Sequence, residues 1–378
     1  MHFPQIERPE PADTTVGRLQ RGRGAGWLEA AASGSGVELL LGCLTHEPRW
    51  DRQVESRADY YARLALRLAV PVTAIAGGAS GDEWIADEVV EAMARRGSAE
   101  AAHRTTLDPE DLGHGATGAA HRGRPVPSVV PARADAPIDD LLGATWRGSF
   151  PKAVVHRLRT TRDQVEVDAL RRAAREVQHP GWRLATHALA LRGDLTALDV
   201  VEGVLEEDES GLVRATAFRF VTALPPAASL PLARAWLAHT DGRGAVASSV
   251  LAEHAAIEDL PAVRAALAAA DDYYAMSNLA KALGRLAEAG PFPELDEIYV
   301  HSAYSYARAR AVQAMAATDP TFAERRAAEC LWDCEESARV QGARFAPLER
   351  ASVDRLRELA DDDLEDPAVR TAAHCRLT

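Results

Sequence analysis

Asp366-Pro367-Ala368-Val369-Arg370-Thr371-Ala372-Ala373 carries the pattern that decides the fold: an acid and a proline, an arginine, then small residues one turn later. Leu212-Val213-Arg214-Ala215-Thr216-Ala217 repeats the arginine and the small residues far upstream, without the acid and proline. A single lattice joins the two. Its points are Arg183, Arg214, Ala245, Met276, Arg308, Arg339 and Arg370, separated by 31, 31, 31, 32, 31 and 31 residues. So regular a period marks one supersecondary unit copied in tandem.

The residues around each lattice point say that the unit is helical. Three positions on stand Thr186, Ala217, Ser248, Leu279, Ala311, Gly342 and Ala373; seven positions on stand Ala190, Val221, Ala252, Leu283, Met315, Ala346 and Leu377. Offsets of three and seven share one helix face, so small residues admit a close neighbour and apolar ones fill the layer between units. Ser210, Asp241, Asp272, Ser305 and Asp366 lie just upstream, where a helix N-cap belongs. Turn signals at Gly193-Asp194, Pro225-Pro226, 259–261, 290–293 and Asp319-Pro320 introduce a second helix in each unit.

The 366–373 stretch resembles the Asp-Pro-x-Val-Arg-x-x-Ala core of HEAT repeats, in particular the short kind of bilin-lyase-like proteins, and 212–217 is a second match. The units at Ala245 and Met276 keep only the helical pattern. The resemblance implies an all-α, HEAT/armadillo-like superhelix of about seven 31-residue units over 150–378. It implies little about activity, because such arrays serve many roles.

Ahead of the array the register is irregular. Residues 1–23 are polar and rich in Pro, Gly and Arg, and read as a flexible arm. Residues 24–103 read as irregular HEAT-like hairpins, with an apolar stretch at 37–44 and helices over 50–68 and 82–95. The 50–61 stretch resembles a segment of actinobacterial HEAT-repeat proteins. Residues 104–149 gather Gly113, Gly115, Gly118, Gly123, Pro125, Pro127 and Pro131, which reads as a linker or insertion with one short helix at 138–142.

Composition narrows the function classes. The chain of 378 residues is 47% hydrophobic and 26% charged, enough for a continuous core, and its net charge is −13. No apolar run reaches the ~20 residues that span a bilayer, no charged-then-apolar leader opens the sequence, and four scattered cysteines form no disulfide framework. A cytoplasmic bacterial protein is expected, and the near absence of lysine (Lys152 and Lys281 only) points to a GC-rich genome.

Catalytic constellations are missing. A HEAT-type di-iron hydroxylase needs several His-Glu pairs, and the sequence has only His46-Glu47. Cys330 and Cys334 share a helix face but lack the other ligands zinc requires, and read as core residues. Arg21-Gly22-Arg23-Gly24-Ala25-Gly26 lacks the Lys-Ser/Thr ending of a phosphate loop and follows no strand. No metal, cofactor or catalytic residue is therefore expected.

Two surfaces remain. Five of the seven tyrosines, Tyr273, Tyr274, Tyr299, Tyr304 and Tyr306, cluster at the starts of successive units, and Asp271, Asp272 and His301 would rim them. Tyrosine offers rigid contact area and a hydroxyl, so this edge, with the concave face, is expected to hold a protein partner, making the chain a non-enzymatic scaffold or adaptor. The alternative uses Arg157, Arg159, Arg162, Arg171, Arg172 and Arg175 to meet phosphate, as alkylpurine DNA glycosylases do with HEAT-like repeats. Against it stand the overall negative charge and the seven acids of 193–210. The recurring Arg214, Arg308, Arg339 and Arg370 read as structural, pairing with the acidic cap of their own or the neighbouring unit; such a pair is worth roughly 0–1 kcal/mol where it is exposed.

Overall fold

The computed structural model describes residues 9–46, 48, 55, 57–78, 83–105, 134–144, 146, 149–207 and 211–378. All regular structure among them is helical: more than twenty short helices, packed chiefly against their neighbours in sequence. Contacts divide the chain into two units, Met1–Gly118 with Ala269–Thr378, and Ala119–Ala268.

Every lattice point lies in a helix. In the 119–268 unit these helices are Trp182–Arg192, Leu212–Ala223 and Gly242–His254, and each packs on the next. In the other unit they are Tyr273–Arg285, Ser305–Thr318, Glu336–Phe345 and Pro367–Leu377, again packed in succession. The spacing explains the packing. Thr186, Ala217, Ala311 and Ala373 are fully buried, and Gly342 lies so close to its neighbour that an added Cβ would sit 2.8 Å from the Leu331 nitrogen. Of the residues seven positions on, only Leu377 is exposed.

Caps follow the acids. Asp241, Asp272 and Asp366 accept from the backbone N–H of Arg243, Ala275 and Ala368 at 2.8 Å each. Ser305 departs from this expectation. Tyr304 occupies the cap position, and the Ser305 N–H donates instead to Oε2 of Glu55 at 2.9 Å. Ser210 lies outside the described residues.

The amino-terminal helices of the first unit are Thr15–Gln20, Gly24–Ala32, Gly36–Thr45, Ala58–Arg67, Val72–Gly78, Glu83–Arg95 and Ala99–Thr105. They close around Leu19, Leu40, Tyr61, Leu64, Ile85, Val89 and Met93. The helix expected over 50–68 is seen as Ala58–Arg67, its earlier part lying outside the described residues, as do Glu47, Asp82 and most of 104–133. The short helix expected at 138–142 is Ile138–Gly143.

The flexible arm expected at 1–23 needs correction over its described part, 9–23. Leu19 is fully buried, and Arg21 and Arg23 are 6% and 4% exposed. The glycines explain the docking. Gly22 has φ +71° and would place a Cβ 2.4 Å from Sγ of Cys334, and a Cβ on Gly24 would fall 1.9 Å from the Glu329 carbonyl oxygen. The Gly22 carbonyl accepts from the Cys334 N–H at 2.9 Å. Alternating Arg and Gly thus lets the backbone lie against residues 329–334 while the guanidiniums reach in.

Candidate functional site

The tyrosine edge splits according to helix geometry. Relative to the lattice points, Tyr273 sits at −3 and Tyr304 at −4, which continue the rhythm of 0, +3 and +7 into the packed face. Both are buried, at 2% and 1% exposure. Tyr274 and Tyr306 both sit at −2, off that face; Tyr274 is 47% exposed and Tyr306 partly so. Tyr304 joins the group, its ring centroid lying 5.7 Å from Tyr273, 5.8 Å from Tyr274 and 5.9 Å from Tyr306. Arg310, one turn along, donates to the Tyr306 hydroxyl and lies 4.8 Å from its ring centre.

Tyr299 does not share this surface. It is fully buried, between the guanidiniums of Arg23 at 4.9 Å and Arg326 at 5.4 Å, with its hydroxyl 3.9 Å from Sγ of Cys330. Burial, then the neighbouring Cys330, pushes its phenol well above the usual range. The surface the tyrosines offer is therefore Tyr274 and Tyr306, braced by Tyr273 and Tyr304 beneath them.

The basic segment divides in the same manner. Arg157 donates to the Ala134 carbonyl at 2.7 Å and pairs with Glu166. Arg171 pairs with Asp194 at 2.8 Å and Asp168 at 3.5 Å. These two act as internal clamps. Arg159, Arg162, Arg172 and Arg175 are exposed and make no ion pair with any described residue.

Sequence reading missed a buried cluster of charges inside the first unit. Arg308 is fully buried and Arg339 9% exposed, so the small worth of an exposed bridge does not apply to either. Arg339 donates to the Asp333 and Cys334 carbonyls at 2.8 and 2.7 Å, and residues from far upstream join the cluster. Arg57 pairs with Glu55 at 2.8 Å and donates to the Ala303 carbonyl at 2.8 Å. Arg21 donates to the His301 carbonyl at 3.2 Å, at the end of the Pro293–His301 helix, where bare carbonyls and the dipole favour a cation. Burial, with Arg308 and Arg23 nearby, lowers the Arg21 pKa to about 10. Glu365 accepts from Arg63 and from Arg339, each at 2.7 Å. Burial opposes its ionisation, but the Arg339 and Arg63 charges outweigh it and hold its carboxyl down to about 2. Asp333 and Glu335 go the other way: burial raises both, only partly offset by Arg308 and by the Ser305 hydroxyl respectively.

Cys330 is fully buried, and burial raises both it and Cys334 well above the usual thiol range. Sγ of Cys334 is 3.5 Å from Nη2 of Arg308. Among the described residues no three His, Cys, Asp or Glu side chains gather as metal ligands, and no helix is long and apolar enough to cross a membrane.

Comparison with protein-family models, curated proteins and solved structures finds no match to this chain.

Proposed function

We propose that this chain is a HEAT-type helical-repeat scaffold that holds a protein partner without catalysing a reaction, and that Tyr274, Tyr306 and Arg310 anchor the partner. One observation carries the reading. Two tyrosines at the same lattice offset in successive units reach the surface over a buried third ring, Tyr304. Rings held this way lose little conformational freedom on binding, and Tyr and Arg dominate the energetics of protein interfaces. Asp271 and His301, both exposed, would form a polar rim. The 31-residue lattice and the succession of packed helices support the repeat reading.

The test is capture from a cell lysate with tagged wild-type chain and with Tyr274→Ala/Tyr306→Ala, each treated with nuclease and read by mass spectrometry. A protein held stoichiometrically by the wild type and lost by the variant, at equal helical content and thermal midpoint, supports the anchor. Tyr274→Arg, altering only the more exposed ring, should give the same loss. A partner retained by all three chains overturns the anchor. Recovery that vanishes with nuclease would instead favour nucleic-acid binding through Arg159, Arg162, Arg172 and Arg175.

A further inference from the structure

A second feature, within the 119–268 unit, has no part in that reading and does not depend on it. Phe150, Val155, Arg183, His187, Thr216 and Arg219, together with Ser149, line a cavity of about 180 Å³. Among the described residues that line it, two carry a guanidinium and one an imidazole.

The cations are assembled by two neighbouring lattice helices. Arg183 and His187 are one turn apart on Trp182–Arg192, and Thr216 and Arg219 are three apart on Leu212–Ala223. Phe150 fixes the first pair. The imidazole of His187 stacks on its ring at 6.0 Å between centroids, and the Arg183 guanidinium lies 5.6 Å from its centre. Trp146 meets Phe150 edge-on at 6.0 Å, and its carbonyl accepts from Nη1 of Arg183 at 3.3 Å. The Thr216 hydroxyl donates to the Leu212 carbonyl at 2.7 Å, so it shapes the wall. Arg219 is exposed at the rim and makes no ion pair with any described residue. Burial, and then the charge of Arg219, lowers the His187 pKa; only the second cause is a positive field, and it places the Arg219 charge within reach of the imidazole.

We propose that this cavity binds the phosphate group of a small phosphate monoester, with Arg183 and Arg219 facing its charge and Phe150 and Val155 flanking its organic part. Two guanidiniums match a dianion better than they match a single carboxylate. A cavity of roughly 150 Å³ accommodates benzene, so the present volume has room for a phosphate and part of a small apolar group.

Phenyl phosphate titrated into the full chain, followed by calorimetry and by the His187 imidazole resonances, is the test. Saturable one-site binding that shifts His187 is expected. Arg219→Ala and Arg183→Met should each weaken it about tenfold or more, and Arg172→Ala, an exposed arginine outside the cavity, should leave it unchanged. Inorganic phosphate should bind more weakly than phenyl phosphate, and benzoate more weakly still. The proposal falls if phenyl phosphate does not saturate at low ionic strength, if the Arg219 and Arg183 variants bind as the wild type does, if Arg172→Ala weakens binding as much as they do, or if benzoate binds more tightly.

Discussion

Two arginine-rich stretches look alike in composition and differ in fate. Arg21-Gly22-Arg23-Gly24 is sealed against residues 301–334 of its own unit, whereas the exposed arginines of 159–175 stand in solvent. Charge count does not separate them. The difference lies in backbone access and in distant acids: Gly22 and Gly24 permit a contact that any Cβ would block, and Glu329 waits there for Arg23 at 2.8 Å. A guanidinium is buried where the backbone's approach brings it to acceptors already held in place, the Glu329 carboxylate for Arg23 and the Glu10, Gly17 and His301 carbonyls for Arg21; otherwise it stays in water.

The sharpest way to break this contrast is Arg23→Met. It removes the closer of the two arginines paired with the largely buried Glu329, leaving Arg326 at 3.4 Å, and takes one of the two cations from the face of Tyr299. A loss of about 3 kcal/mol or more is expected in the denaturant midpoint, and a loss below about 1 kcal/mol would mean the stretch docks through backbone alone. Next comes Glu365→Gln. Its folded pKa is depressed, so its contribution is fully present above the ordinary value of 4.5 and is lost as pH falls toward about 2. That is roughly 3 kcal/mol at neutral pH, and the variant should lose most of the acid-side fall in thermal midpoint between those values. Asp333 and Glu335, whose pKa values are raised, work in the opposite sense: protonating them relieves a cost, so a wild type that gains stability on acidification would show that they dominate. The smallest effect belongs to Arg172→Ala with Arg175→Ala, expected to lie within about 0.5 kcal/mol of the wild type in the same denaturant experiment.

What was legible in the sequence was local. The lattice named the helices, the buried layer and three of the acid caps, because each depends on spacing within one turn or one unit. The tyrosine edge was half legible, since the same periodicity that places Met276 and Arg308 inward also turns Tyr273 and Tyr304 inward and leaves Tyr274 and Tyr306 out. Tyr299 belonged to no such comparison. Its surroundings, Arg23 and Arg326, lie at very different distances along the chain, and nothing in local spacing pairs them. The same holds for Glu55 at the Ser305 nitrogen and for Glu365 between Arg63 and Arg339. In the cavity of the other unit, Arg183 was visible as a lattice point, but His187 and Arg219 acquire meaning only when adjacent helices bring them together.

The capping of Ser305 by Glu55 has a consequence for biosynthesis. One unit is built from residues 1–118 and 269–378, with the other unit encoded between them. During translation Arg21, Arg23, Glu55 and Arg57 leave the ribosome long before His301, Ala303, Glu329 and Cys334 exist. The intervening unit has all its own contacts available earlier, so it can fold while the first segment waits as an incomplete half. Closure of the split unit then waits until the intervening unit has been made, and a chain stalled before residue 301 exposes charges whose partners were never made.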